Sequence, residues 1–247
     1  MDLEKATLNQ VECQKFKMAI LPWGALEPHN KHLPYYTDCL LSQAIACDAV
    51  RQSGCAVGVL PPVWLGQQNP SQTDYAFCVH TTIETQKAIV GDVVRSLWRQ
   101  GINKLLIING HGGNSFKGVV RDMAFEYPDF LILATDWYSI VPSDDYFENN
   151  GEHADELETS VMMHYHPDLV DLDKAGKGTE LRFALESLRN KTAWLPRRWK
   201  SVTVDTGIGD PSLATAAKGE RYARAVCAKL ATLIKELDMN SELYTKC

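Results

Sequence analysis

No run of five like charges occurs in this sequence, and no apolar stretch approaches the length of a membrane span. The first absence, with a formal net charge of −6, argues against nucleic-acid binding, which needs a basic face. The second argues against a membrane-spanning helix, which takes roughly 20 apolar residues. The opening MDLEKATLNQ lacks a basic segment followed by an apolar one, so it does not read as a secretory signal. The cysteines are Cys13, Cys39, Cys47, Cys55, Cys78, Cys227 and Cys247: an odd number, with no CxxC pair. They read as reduced, buried small hydrophobes of a cytoplasmic protein, and argue against a cysteine-ligated zinc site. Neither Ser160 nor Cys39 sits in a nucleophile-elbow pattern, which sets covalent catalysis aside. Internal repeats and low-complexity linkers are missing too. The 247 residues, 45% of them hydrophobic, are therefore taken as a single domain spanning 1–247 with a full core.

Against these absences, one stretch is dense. Leu21–Asp38 reads LPWGALEPHNKHLPYYTD. It holds the carboxylates Glu27 and Asp38 and the imidazoles His29 and His32. It also holds four helix breakers, Pro22, Gly24, Pro28 and Pro34, and the aromatics Trp23, Tyr35 and Tyr36. A loop that merely connects two elements needs none of this. Carboxylate and imidazole together suit a divalent metal.

The rest of the chain alternates. Residues 1–17 read as an opening helix or arm. Lys17–Leu21 is a short apolar run, a buried strand breaking at Pro-Trp-Gly. Asp38–Arg51 has helical spacing, with Asp38 at its N-terminal end. Ala56–Leu60 is a second strand, stopped by Pro61 and Pro62. Trp64–His80 is a long polar connection, of a length usually functional or mobile. Thr81–Glu84 resembles a capping box and opens a helix to Gln100, which Gly101 ends. Lys104–Asn109 is continuously apolar, as in the middle of a parallel sheet. Gly110–Asn114 makes a tight turn, a helix runs from Ser115 to about Tyr127, and Phe130–Thr135 is the next strand. This order predicts βαβ units in an α/β fold: three α/β/α layers around a mostly parallel sheet, with the site at the carboxyl ends of the strands. Asp136–Gly151 is an aromatic, polar loop. Glu152–His166 begins acidic and becomes helical. Pro167–Trp199 is weakly periodic and reads as extended or inter-subunit chain. Ser201–Val204 reads as a short strand, and Leu213–Leu237 as an amphipathic helix.

Three clusters carry the chemistry. Glu27 and His29 are two apart and point the same way in an extended segment. Asp38 is placed to bridge two metals. His111 lies in a glycine-flanked turn after a buried strand, and Asn114 can cap the helix that follows. His153 and Glu158 are five apart, so His153 precedes a helix and Glu158 projects from its first turns. Taken singly, Gly110–Asn114 reads equally as an anion-binding turn, and Glu152–Ser160 as a capped acidic helix start. A nucleotide-binding turn would want an acidic ribose partner at the usual spacing, which is lacking. His32 reads as structural support behind the ligands, and His80, His164 and His166 as ordinary histidines. Three separated clusters, all at strand ends or helix starts, favour a metal.

Together these motifs resemble the creatininase (creatinine amidohydrolase) family. Glu27-x-His29-x-x-His32-Leu33-Pro34 with Thr37-Asp38 is similar to its first motif. Asn109–Asn114 is similar to its second, and His153-Ala154 through Glu158-Thr159-Ser160 to its third. Gly209-Asp210-Pro211, Ala214-Thr215 and Lys218-Gly219-Glu220 are similar to its tail. The resemblance implies a compact α/β/α fold and two divalent metal ions per chain, zinc foremost, with manganese or iron as the other choices. It implies hydrolysis of a carbon–nitrogen amide bond in a small polar substrate, a cyclic amide or a formamide, via a metal-bound hydroxide. It also implies a ring-like homo-oligomer, often a hexamer. Carried over, Glu27, Asp38 and His111 hold one metal, and His29 and Asp38 the other. His153 is the general acid/base or a substrate contact, with Glu152 counted beside it as catalytic.

This sequence departs from the creatinine-hydrolysing members in places. Gly113 stands where they have a glutamate ligand, and Glu158 is the candidate replacement. Pro28 and Asn30 stand where Gln and Gly are usual. Their substrate-contacting tryptophan has no evident counterpart; Trp137 and Tyr138 are the nearest aromatics, and join His32 and Asn114 as substrate or supporting positions. Other branches share the glycine and act on different amides, including formamides of pyrimidine intermediates. The rival reading is a non-catalytic relative that binds a metal and a ligand as a sensor or structural subunit.

Overall fold

The structure is a computed structural model and describes residues 1–240 and 243–244. Its elements run α1 (Leu8–Glu12), β1 (Met18–Trp23), α2 (Thr37–Ser53), β2 (Val57–Val59), α3 (Ile83–Arg99), β3 (Lys104–Asn109), α4 (Phe116–Glu126), β4 (Leu131–Asp136), α5 (Glu156–Tyr165), α6 (Glu186–Arg189), α7 (Trp199–Val202) and α8 (Ala216–Met239), with short 3-10 turns between them.

The four strands form one sheet in the order β2-β1-β3-β4, and every pairing is parallel. β1 and β3 are central and almost wholly buried, as continuous apolar strands must be when helices cover both faces. Alternation along the strands divides the core. Met18, Ile20, Val57, Val59, Leu106 and Ile108 face α2, α5 and α8. Ala19, Leu21, Leu105 and Ile107 face α3 and α4, where Val90, Val94, Val119 and Met123 meet them. Each fully buried Ile or Leu contributes roughly 1.5–3 kcal/mol. The expected three-layer α/β/α architecture is thus present, with a sheet parallel throughout.

The register sets the site. Trp23 pairs with Asn109, and Asn109 with Asp136, so three strands end level. The loops leaving β1 and β3 start side by side, as crossover topology requires.

Local signals place most boundaries. Thr82 Oγ1 accepts from Thr85 N and starts α3. Asp155 accepts from Glu158 N and starts α5. Three expectations need correction. Ser201–Val204 is not a strand: Trp199–Val202 turns helically around the buried Trp199, and Thr203 Oγ1 donates back to the Trp199 carbonyl at 2.8 Å. The last long helix begins at Ala216, because Pro211–Leu213 is a 3-10 turn and Thr215 is the cap. Asn114 does not cap α4; Ser115 holds that position, and the Asn114 amide points elsewhere. Cys39, Cys78 and Cys227 are buried and Cys47 and Cys55 half-buried, whereas Cys13 is exposed. Cys247 lies outside the described residues. Among the described residues, no helix is long and apolar enough to cross a membrane.

Candidate metal centre

β1 ends at Trp23, and the chain turns at Gly24 against the first turn of α2. A Cβ at position 24 would stand 2.6 Å from the Asp38 Cβ and from the Cys39 backbone nitrogen. Only glycine lets the β1 loop pass so close. That contact brings Glu27 and His29 over Asp38. Asn30 then takes φ 53, a conformation asparagine tolerates better than most residues.

The three clusters meet. His29 Nε2 lies 2.8 Å from Asp38 Oδ1. His111 Nδ1 lies 3.0 Å from Glu27 Oε1 and 3.1 Å from Asp38 Oδ2. His153 Nδ1 lies 3.6 Å from Glu27 Oε1. Three sets of donor atoms lie within 4.8 Å of one another: Glu27, Asp38 and His111; His29, Asp38 and Glu158; and Glu27, His29 and His153. Asp38 belongs to two sets. All six residues are buried or nearly so.

Each imidazole is held from behind by a main-chain carbonyl. His29 Nδ1 donates to Glu27 O at 3.0 Å, His111 Nε2 to Gln67 O at 2.6 Å, and His153 Nε2 to Pro28 O at 3.0 Å. The carbonyls fix the tautomers, so the opposite nitrogen of every ring faces the carboxylates. This is the usual support behind metal-binding histidines.

The family model described as "Creatininase: Creatinine amidohydrolase" matches residues 3–234. The chain belongs to the creatininase family. A mycofactocin precursor peptide peptidase from Mycobacterium ulcerans is 30% identical over 215 residues, covering 82% of this chain and 78% of that protein. A creatinine amidohydrolase from Pseudomonas putida is 29% identical over 175 residues, covering 63% and 66%. The crystal structure of a presumptive creatinine amidohydrolase from Bacteroides fragilis is 51% identical, superposes with a TM-score of 0.97, and covers 99% of this chain and 98% of that one. Creatininase structures in zinc–zinc and manganese forms share the fold at a TM-score of 0.78 and 22% identity, covering 96% of this chain.

In this member of the creatininase family, charge is arranged as ligand chemistry needs. Burial would push Asp38 up, but His29 and His111 outweigh it and hold the carboxyl below the usual range. Burial opposes His29 too, yet Asp38 raises it to about 10. His111 is raised in the same way by Glu27 and Asp38. Burial lifts Glu158 to about 8. His153 goes the other way: burial and the neighbouring His29 bring it down to about 4. It is therefore neutral near pH 7 and able to accept a proton.

A divalent pair fits these residues. Asp38 Oδ2 is buried with the His111 ring nitrogen, 3.1 Å away, as its neighbour, and a buried carboxylate oxygen so sparsely partnered costs free energy. Three buried carboxylates share the floor with no lysine or arginine paired to them among the described residues, and in the metal-free chain protons on His29 and His111 supply the positive charge. Hard oxygen and borderline nitrogen donors are the set zinc and manganese take.

The other predicted positions divide. Glu158 reaches the centre: its Oε2 accepts from Ala154 N at 2.6 Å, across a residue held at φ 50. Gly113 cannot carry a side chain, because a Cβ there would overlap the Gln67 carbonyl oxygen and His111 Nε2. His32 stays behind the ligands, with Nε2 2.8 Å from Thr159 Oγ1. Asn114 ties the second motif together through Asn109, Gln86 and the Gln67 N–H. Tyr138 lines the cavity above the centre. Two positions need correction. Trp137 is wholly buried against Tyr222 in the core and is not among the residues lining the cavity, which leaves it a supporting position at most. Glu152 sits at the rim with its side chain 60% exposed, paired to Arg197 at 2.7 Å, and takes no part in the histidine cluster.

Sequence reasoning missed two residues. Gln72 is buried, donates to Glu27 Oε2, and accepts from Asn69 N at 3.1 Å. Gln67 supplies the carbonyl behind His111. The long polar connection pointed at this loop but not at which amides turn inward.

Proposed function

We propose that this chain is a metal-dependent amidohydrolase cleaving a carbon–nitrogen bond, the whole of 1–247 being one hydrolase domain. The observation that carries this reading is a shared carboxylate, Asp38, standing in two donor sets beside His153 at the floor of a cavity. Glu27, Asp38 and His111 would hold one cation, and His29, Asp38 and Glu158 the other. Such a pair, when bound, supplies Lewis acidity for a carbonyl and lowers the pKa of water. Zinc is the first choice and manganese or iron the next.

The chain's own residues do the rest. His153 Nδ1 takes up a proton and returns it to the leaving nitrogen. The Pro28 carbonyl fixes its tautomer, and the Trp199 ring meets it edge-on at 5.3 Å, limiting its rotation. Gln72 pins one oxygen of Glu27 so that the other faces the histidines. We further propose a homo-oligomer, a hexamer, which light scattering reads, and, from the free cysteines, a cytoplasmic location.

The test is metal content with turnover. After supplementation with zinc, manganese and iron in separate samples, two divalent ions per chain are expected, with ring opening of creatinine, or amine release from formanilide or a short peptide amide. Fewer than one ion per chain under every condition would sink the reading.

A further inference from the structure

The cavity over the centre has a volume of about 900 Å³. That is near the top of the range for small-molecule sites. A single small ring over the metals would leave most of it to water. The cavity is therefore built for an amide with a body beyond the scissile bond.

Its walls say what that body carries. Among the described residues lining the cavity, Arg197 is the one guanidinium, and no lysine lines it. Arg197 is committed twice: Nη1 pairs with Glu180 Oε1 at 2.6 Å, and Nη2 with Glu152 Oε2 at 2.7 Å. Its guanidinium carbon lies 5.4 Å over the Trp199 ring, whose edge meets His153. An anionic group arriving there competes with two carboxylates already paired to the guanidinium and meets Glu152 on the way. Gln67, Gln68 and Asn69 follow one another as an uncharged stretch of the remaining polar wall, and Asp155 adds a further carboxylate to it. The Gln68 side chain is nine-tenths buried, and neither of its amide atoms has a partner. The Trp194 ring, 85% exposed at the mouth, offers an apolar face.

We infer that the substrate's body beyond the amide is uncharged or cationic, and that the Glu152–Arg197–Glu180 arrangement excludes phosphate- and carboxylate-bearing amides. The inference deepens the amidohydrolase reading and rests on it for the position of the scissile bond. Selectivity here comes from occupying the one guanidinium among the described lining residues, with Glu152 beside it.

The test uses one aromatic scaffold with three tails. Methanesulfonanilides, which are not hydrolysed, carry para-methyl, para-aminomethyl or para-phosphonomethyl groups. Their dissociation constants are measured by calorimetry on the metal-supplemented full chain. The phosphonate is expected to bind at least tenfold more weakly than the methyl compound. Glu152→Gln with Glu180→Gln frees Arg197, and should improve the phosphonate at least tenfold while weakening the aminomethyl compound. Glu180→Gln alone gives a partial shift and stands in if the double variant does not fold by circular dichroism. Equal or tighter phosphonate binding to the wild type overturns the inference, as does an unchanged ratio in the folded variants. The matching formanilides, followed by aniline release, judge hydrolysis separately. Failure to cleave any of them tells against the amidohydrolase reading, while the sulfonanilide order still decides the inference.

Discussion

The Gln67 carbonyl oxygen accepts a 2.6 Å hydrogen bond from His111 Nε2. One atom thereby orients a histidine of the centre and fills the space a side chain at position 113 would need. The absence of a side chain at position 113 and the approach of the Gln67 loop are two sides of one arrangement, with Glu158 reaching in from α5.

Gly113→Ala should therefore be harmful although alanine is small. The Cβ must push the Gln67 carbonyl off His111, freeing the ring. We expect a loss of about 1–3 kcal/mol in stability, the cost of a disrupted buried hydrogen bond and overpacking. Metal content should fall with it. Thermal unfolding and elemental analysis of the variant check this, and wild-type values for both would refute it.

His111 and His153 should separate binding from turnover. His111→Ala removes a donor facing two carboxylates and is expected to abolish loading of one ion. His153→Ala should keep the metal and lose activity by roughly 10²–10⁴-fold, the size of general acid–base terms. Metal stoichiometry beside kcat for each variant reads the split.

Gln72→Leu tests support at one remove. The isosteric side chain keeps the volume but leaves Glu27 Oε2 without its donor. Metal affinity should drop about 10–100-fold, as for other residues behind ligands, with little change in secondary structure. A competition titration against a chelator gives the number.

Metal loading should release protons and strengthen with pH. His29 is raised from an ordinary value of 6.5 to about 10, and Glu158 from 4.5 to about 8. For His29, the stabilisation of the metal-free chain is fully present below pH 6.5 and fades as pH rises through 10. For Glu158, the neutral acid favours the fold below pH 4.5 and stops doing so as pH passes 8. Protons leave over the range in which a cation can replace them. The rise in Tm on adding zinc should hence be larger at pH 8.5 than at pH 6.5. Calorimetry in buffers of different ionisation heat should show proton release. A Tm increment that shrinks with pH would refute the assignment.

The sheet and its flanking helices were legible because periodicity reports burial directly: β1 and β3 are continuous apolar runs, and α3 shows its cap. The ligand residues were legible because three clusters fell at ends of elements. Ser201–Val204 misled because β-branched residues here serve a helical turn held by Trp199, a tertiary contact with no local trace. Trp137 misled because nearness in sequence to Tyr138 says nothing of which ring faces the cavity; adjacent residues point apart. Glu152 misled because its partner, Arg197, is 45 positions away. Gln67 and Gln72 escaped notice since a main-chain carbonyl and a buried amide leave no mark in composition.

The donors Glu27, His29 and Asp38 come from the β1 loop and the start of α2, His111 from the loop after β3, and Glu158 from α5. A pair of cations sharing Asp38 there would tie three distant stretches of chain together, as disulfides do in an oxidised protein. Closing those loops restricts the unfolded chain. A centre read above as chemistry is also a removable cross-link, and a chelator would act on this chain as a reductant acts on a secreted one.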